Sequence, residues 1–231
     1  EKSNYFQFLT GDGGSASSSH RGFSDLDTVR VEKAEARASL QAWLENLVDA
    51  DGETVSIPKE LEEELLGIFD SQQDASLHLY SRHTQMMRKT SAIKGQDYSL
   101  YYQALNNTLN HDTEAGLRSA LPLIRRMNYL LLYKEDTGEK RLHSGGVFWK
   151  GDSERPVPLN MQKLKTAMKK DAVIHFRQFQ STTSDSKVAE KFARREDKPG
   201  FIWKVEVPKD FWGARDIHDV AWRAKEAETL F

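Results

Sequence analysis

Apolar positions along the chain follow two different periods. From about Glu32, Leu40, Trp43, Leu44, Leu47 and Val48 recur at spacings of three and four, the repeat of a single helix face. A second helix is predicted after Ser56-Ile57-Pro58, where proline suits a first turn, with Leu61, Leu65 and Phe69 on one side. A third is expected around Tyr98 to Leu109. A fourth starts near Thr113, has Glu114 in its first turn and carries Leu117, Leu121, Ile124 and Leu131 on one stripe, with a kink expected at Pro122.

After the turn signal Asp136-Thr137-Gly138 the character changes to β. Gly146-Val147-Phe148-Trp149-Lys150-Gly151 reads as a short strand closed by glycine. Met161, Leu164 and Met168 suggest a short amphipathic helix, and His175 to Ser181 a further strand with Phe176 and Phe179 as its apolar content. Ser184 or Asp185 then caps a helix carrying Val188, Ala189 and Phe192. In Phe201 to Val207 the residues Phe201, Trp203, Val205 and Val207 point one way and Lys204 and Glu206 the other, the clearest alternation in the chain; Pro208 ends it. A helical half followed by strands interleaved with short helices predicts an α+β fold. Residues 1–25, with the Gly/Ser-rich run Gly11 to Ser19, are expected to be a linker, residues 26–134 a helical part, and residues 135–231 a β-rich core continuous with it.

Composition narrows the chemistry. With 231 residues, 38% of them hydrophobic, the chain can bury a core, and 33 basic against 35 acidic residues leave no surplus charge to attract nucleic acid or an anionic membrane. The absence of cysteine removes disulfides and thiolate metal sites and leans towards an intracellular protein or a bacterial secreted effector. His78 and His83 lack helical metal spacing, so no metal is predicted. Arg125-Arg126 and Lys169-Lys170 read as solvated faces. No run approaches the ~18 apolar residues of a membrane span.

Two segments carry candidate chemistry. In Glu226-Ala227-Glu228-Thr229-Leu230-Phe231, two carboxylates one residue apart would share one face of a β-strand. In Phe179-Gln180-Ser181-Thr182-Thr183-Ser184-Asp185, a hydroxyl-rich strand end precedes a helix, and hydroxyls can both orient a carboxylate and hold a sugar.

Together, Phe179 to Phe192 and Glu226 to Phe231 resemble the second and third signature motifs of the arginine-Ser-Glu class of mono-ADP-ribosyltransferases, which includes bacterial toxins and vertebrate surface enzymes. Ser181, Thr182 and Thr183 match the Ser-Thr-Ser motif, with threonine for the last serine, and Glu226 and Glu228 match its Glu-x-Glu. The resemblance covers roughly residues 130–231 and implies a two-sheet core opening as an NAD cleft. The family's first motif is an aromatic-Arg-Gly whose arginine meets the NAD pyrophosphate. Phe148-Trp149-Lys150-Gly151 matches it with Lys150 in place of arginine, which keeps the charge but loses the bidentate fork; Arg141 is the rival for that position.

The resemblance further implies that Glu228 stabilises the oxocarbenium-like ribose as nicotinamide leaves, that Ser181 holds Glu228, and that Glu226 deprotonates an acceptor arginine. Trp222, in the segment from Asp219 to Lys225, would meet the acceptor protein. The expected partners are NAD, as substrate, and a protein with an exposed arginine, encountered in the cytoplasm or, for a secreted effector or toxin, in a host cytosol. NAD hydrolysis, and a binding module with weakened NAD affinity, are the competing expectations.

Overall fold

The computed structural model describes residues 26–47, 56–81, 101–111, 114–153, 178–194, 200–221 and 227–231. The Gly/Ser-rich segment, the helix expected at Met161 to Met168, Lys169-Lys170, Trp222 and Glu226 lie outside these residues. The chain divides into a helical unit, reaching Arg141 and joined by Val220–Arg223, and a β unit of Leu142–Asp219 with Ala224–Phe231.

The helical unit contains α1 (Leu26–Val29), α2 (Lys33–Glu45), α3 (Lys59–Ser71), α4 (Ala75–Ser81), α5 (Tyr101–His111) and α6 (Glu114–Leu132). Most residues of the spacing-derived faces are buried, with Leu61 and Leu121 only partly covered. Leu40, Trp43 and Leu44 of α2, Leu65 and Phe69 of α3, and Leu117, Ile124 and Leu131 of α6 are all interior. Pro58 stands one position before α3, as its N-cap. At the other end of α3 the Lys33 ammonium donates to the Asp70 and Gln72 carbonyls at 3.0 and 2.7 Å, a cation where the helix leaves unpaired acceptors. Trp43 donates its indole N–H to the Thr108 hydroxyl at 3.0 Å and meets Tyr101 edge-on at 5.6 Å between centroids, which joins α2 to α5. The His78 ring is 2.9 Å from the Val220 carbonyl oxygen through Nδ1, a tie between α4 and the returning segment.

Pro122 sits inside α6, which continues through it. Proline has no N–H for the Arg118 carbonyl, and its ring crowds that turn. The next rung, between Ser119 and Leu123, is served at both ends by one side chain from α2: the Ser39 hydroxyl donates to the Ser119 carbonyl at 2.6 Å and accepts from the Leu123 N–H at 3.2 Å. Ser39 is buried, so water cannot substitute for it.

Arg126 departs from the expected solvated face. It is 4% exposed, donates to the Val31 carbonyl at 3.1 Å, pairs with Glu135, and lies over the Tyr129 ring at 5.6 Å. Its position on α6 points it inward, and the carbonyl, carboxylate and ring together compensate the buried charge. Its neighbour Arg125 is half-buried, and burial lowers its guanidinium pKa.

The β unit holds β1 (Gly146–Ser153), β2 (Ser181–Thr183), α7 (Ser186–Ala193), β3 (Gly200–Val207), β4 (Arg215–Asp216) and β5 (Glu228–Leu230). The strands form one antiparallel sheet in the order β3-β1-β2-β5-β4; the second sheet implied by the family resemblance is not among the described residues. β1 and β3 pair along their full length, from Gly146 opposite Val207 to Ser153 opposite Gly200. The alternation read in β3 holds: Ile202, Lys204 and Glu206 are exposed, while Val207 is buried and Phe201, Trp203 and Val205 are partly covered.

Helix α7 lies on this sheet through backbone. A Cβ added to Gly151 would come within 1.9 Å of the Ala189 carbonyl oxygen, and one on Gly200 within 1.8 Å of that of Ala193. Asp185 caps α7, its carboxylate accepting from the Lys187 N–H at 2.9 Å.

Ser39→Ala should destabilise the protein by about 1–3 kcal/mol, because two buried backbone groups lose their shared partner. Chemical denaturation measures this. A loss no larger than that of an ordinary surface substitution would remove the assigned role.

Candidate active site

The two chemistry-bearing segments of the sequence are neighbouring strands. β2 and β5 run antiparallel with Ser181 opposite Leu230, Thr182 opposite Thr229 and Thr183 opposite Glu228. On its other side β2 meets β1, with Trp149 opposite Thr183. Directly paired residues share a face, so Trp149, Thr183 and Glu228 form one row across three strands, and Ser181, two residues from Thr183, shares their face.

Burial grades this face. Thr183 is buried, Trp149 and Glu228 are partly exposed, and Ser181 is exposed. The direct cross-strand partner of Glu228 is therefore Thr183, with Ser181 on the diagonal, within reach of a side-chain contact. The Thr183 hydroxyl oxygen accepts from the Asp185 N–H at 3.1 Å, which turns the chain from β2 into α7. Thr182 faces the other side, is buried, and donates its hydroxyl to the Thr229 carbonyl at 2.9 Å. It ties the two strands together and does not face the row that contains Glu228.

Other candidates fall elsewhere. Lys150 follows Trp149 and so projects from the opposite face of β1. There its ammonium pairs with Asp152 at 2.7 Å, and the second Asp152 oxygen accepts the Trp203 indole N–H at 2.9 Å. Gly151 is accounted for by the close approach of α7. Arg141 belongs to the helical unit, where its Nε donates to the Tyr133 carbonyl at 2.8 Å. Glu226 and Trp222 lie outside the described residues. β5 begins at Glu228, and Ala227 immediately before it has φ 45°, a left-handed conformation. Such a conformation costs a non-glycine residue roughly 1–2 kcal/mol and occurs here next to the candidate carboxylate.

Three residues of the β unit went unassigned in the sequence. Trp149 could have been found, since alternation in β1 sets it apart from Lys150. His143 and Asp216 left no local signal, because their association is long-range. Burial alone would raise the Asp216 carboxyl. Hydrogen bonds from Thr229 and His143, with the nearby His143 and His218 imidazoles, outweigh that and hold it below the usual carboxylate range. Among the described residues no cluster of three His, Asp or Glu side chains is arranged to hold a metal ion, and no helix is long and apolar enough to cross a membrane.

No family model matches the sequence, and no curated protein matches it. In structure the chain is similar to the ADP-ribosyltransferase HopU1 of Pseudomonas syringae pv. Tomato DC3000, with a TM-score of 0.50 and 14% sequence identity. The match covers 87% of this chain and 88% of that one. At this identity the likeness is one of fold.

A carboxyl whose pKa is lower folded than unfolded contributes stability above its unfolded value, and that contribution is lost as pH falls. The Asp216 contribution should thus be complete above its unfolded pKa of about 3.8 and be lost progressively as pH falls from there through the lower folded value. Asp216→Asn should make the acid side of the stability profile shallower. Superimposable profiles of variant and parent, from denaturation at a series of pH values, would contradict the assignment.

Proposed function

We propose that this protein is an NAD-dependent mono-ADP-ribosyltransferase that transfers ADP-ribose to an arginine side chain of a protein and releases nicotinamide. The observation that carries the reading is the pairing of β2 with β5, which sets Glu228 opposite Thr183 with Ser181 on the same face. The fold shared with HopU1 supports the same class of chemistry.

In this reading Glu228 accepts a hydrogen bond from the nicotinamide ribose. Its negative charge stabilises the cation that grows as the bond from C1′ to the pyridinium nitrogen lengthens and its electron pair returns to nicotinamide. Ser181 and Thr183 hold that carboxylate with their hydroxyls. Glu226 takes the proton from a guanidinium nitrogen as it bonds to C1′. Trp222 stacks on the acceptor. For the pyrophosphate, Lys150 and Arg141 remain the two candidate cations. Lys150 would have to leave Asp152 and act from the far face of β1, so we expect Lys150→Ala to leave the Michaelis constant for NAD unchanged and Arg141→Ala to raise it.

NAD glycohydrolysis, in which water takes the place of the acceptor arginine, is the second reading.

Incubation with labelled NAD and a cell lysate, followed by mapping of the modified sites, separates transfer from hydrolysis. Glu228→Ala should lower nicotinamide release by about 10²–10³-fold. Glu226→Ala should spare hydrolysis and remove transfer. A Glu228→Ala protein as active as its parent would discard the enzyme reading.

A further inference from the structure

One oxygen in the β unit receives two hydrogen bonds from residues far apart in sequence. Asp216 Oδ1 accepts the Thr229 hydroxyl at 2.5 Å and lies 3.1 Å from His143 Nε2. The other ring nitrogen, Nδ1, accepts the Gly145 N–H at 2.9 Å. A backbone N–H can only donate, so Nδ1 carries no proton and Nε2–H is the donor to Asp216.

The main chain of His143 is held as firmly. Its N–H donates to the Phe211 carbonyl at 2.8 Å, and its carbonyl accepts from the Asp210 N–H at 2.9 Å. Its ring, 4% exposed at the side chain, meets Phe148 edge-on at 5.2 Å. An anchored imidazole therefore fixes the Asp216 carboxylate, and that carboxylate holds Thr229, the residue after Glu228. The next residue, Ile217, donates its N–H to the Glu228 carbonyl at 3.0 Å. Asp216 and Ile217 thus grip Glu228 and Thr229 by side chain on one face and by main chain in the sheet.

β5 has only three residues, paired with three of β2 on one side and two of β4 on the other, and it is entered through the left-handed Ala227. With ladders this short, side-chain ties such as this one help to set the tilt of the strand, and Glu228 turns with it.

We infer that Asp216, oriented by His143, is a positioning residue that fixes β5 through Thr229 and so sets the Glu228 carboxylate against the ribose. The inference rests on the reading of Glu228 given above. What the site uses is an acceptor oxygen at Asp216 Oδ1; the carboxylate charge is not required.

The test is nicotinamide release from NAD by the full chain. Asp216→Ala and Thr229→Val should each lower kcat about 10–100-fold, the cost of a misplaced group, with the KM for NAD held within about twofold. Asp216→Asn, whose amide oxygen can accept both bonds, should stay within about threefold of the parent. If Asp216→Asn is as impaired as Asp216→Ala, the charge is what matters and the inference fails. It fails equally if Asp216→Ala keeps the parental kcat, or if the loss falls on KM alone. Should Asp216→Ala not fold by circular dichroism, Thr229→Val, which removes only the hydroxyl, carries the same comparison. A parent that releases no nicotinamide, or a Glu228→Gln variant that keeps full release, would remove the enzyme reading itself. Impaired Glu228→Gln beside unimpaired Asp216→Ala would remove only the positioning role.

Discussion

The antiparallel pairing of β2 with β5 is the constraint on which the site depends. It joins two short segments remote in sequence, and its register alone decides that a threonine faces the candidate carboxylate and that a serine shares its face. A slip of one residue would send Glu228 to the side occupied by Thr182. The register is held by more than its ladder. The Thr182 hydroxyl bonds the Thr229 carbonyl, Gln180 and Phe231 exchange two main-chain hydrogen bonds at 3.0 Å just beyond the strands, and Asp216 holds the Thr229 hydroxyl from the far side.

Leu230, next to these contacts, is fully buried, whereas Ser181 opposite it is exposed. At this pair the face that presents Glu228 is covered on β5 and open on β2.

How much of this could be read from the chain varied with the physics of each element. The α2 and α6 stripes and the β3 alternation were legible because one side of each is buried and the other is not, so the period survives in the residue types. That the Ser-Thr-Thr and Glu segments share one site came from motif resemblance; that they pair as neighbouring strands was not legible, since neither segment encodes its partner. Ala227 hid its left-handed backbone, since alanine is a residue that normally avoids it. Arg126 looked solvated because a charge on a helix is usually so, and only the tertiary fold supplies the Val31 carbonyl and Glu135 that let it turn inward. Lys150 followed the motif in sequence yet lies on the other side of β1 from Trp149 and Thr183, which strand alternation could have disclosed.

The seam between α7 and the sheet has no side chains at its tightest points, Gly151 and Gly200. Its thickness is therefore set by contact between main-chain atoms, and the smallest side chain introduced at either glycine would have to lift the helix from the strands.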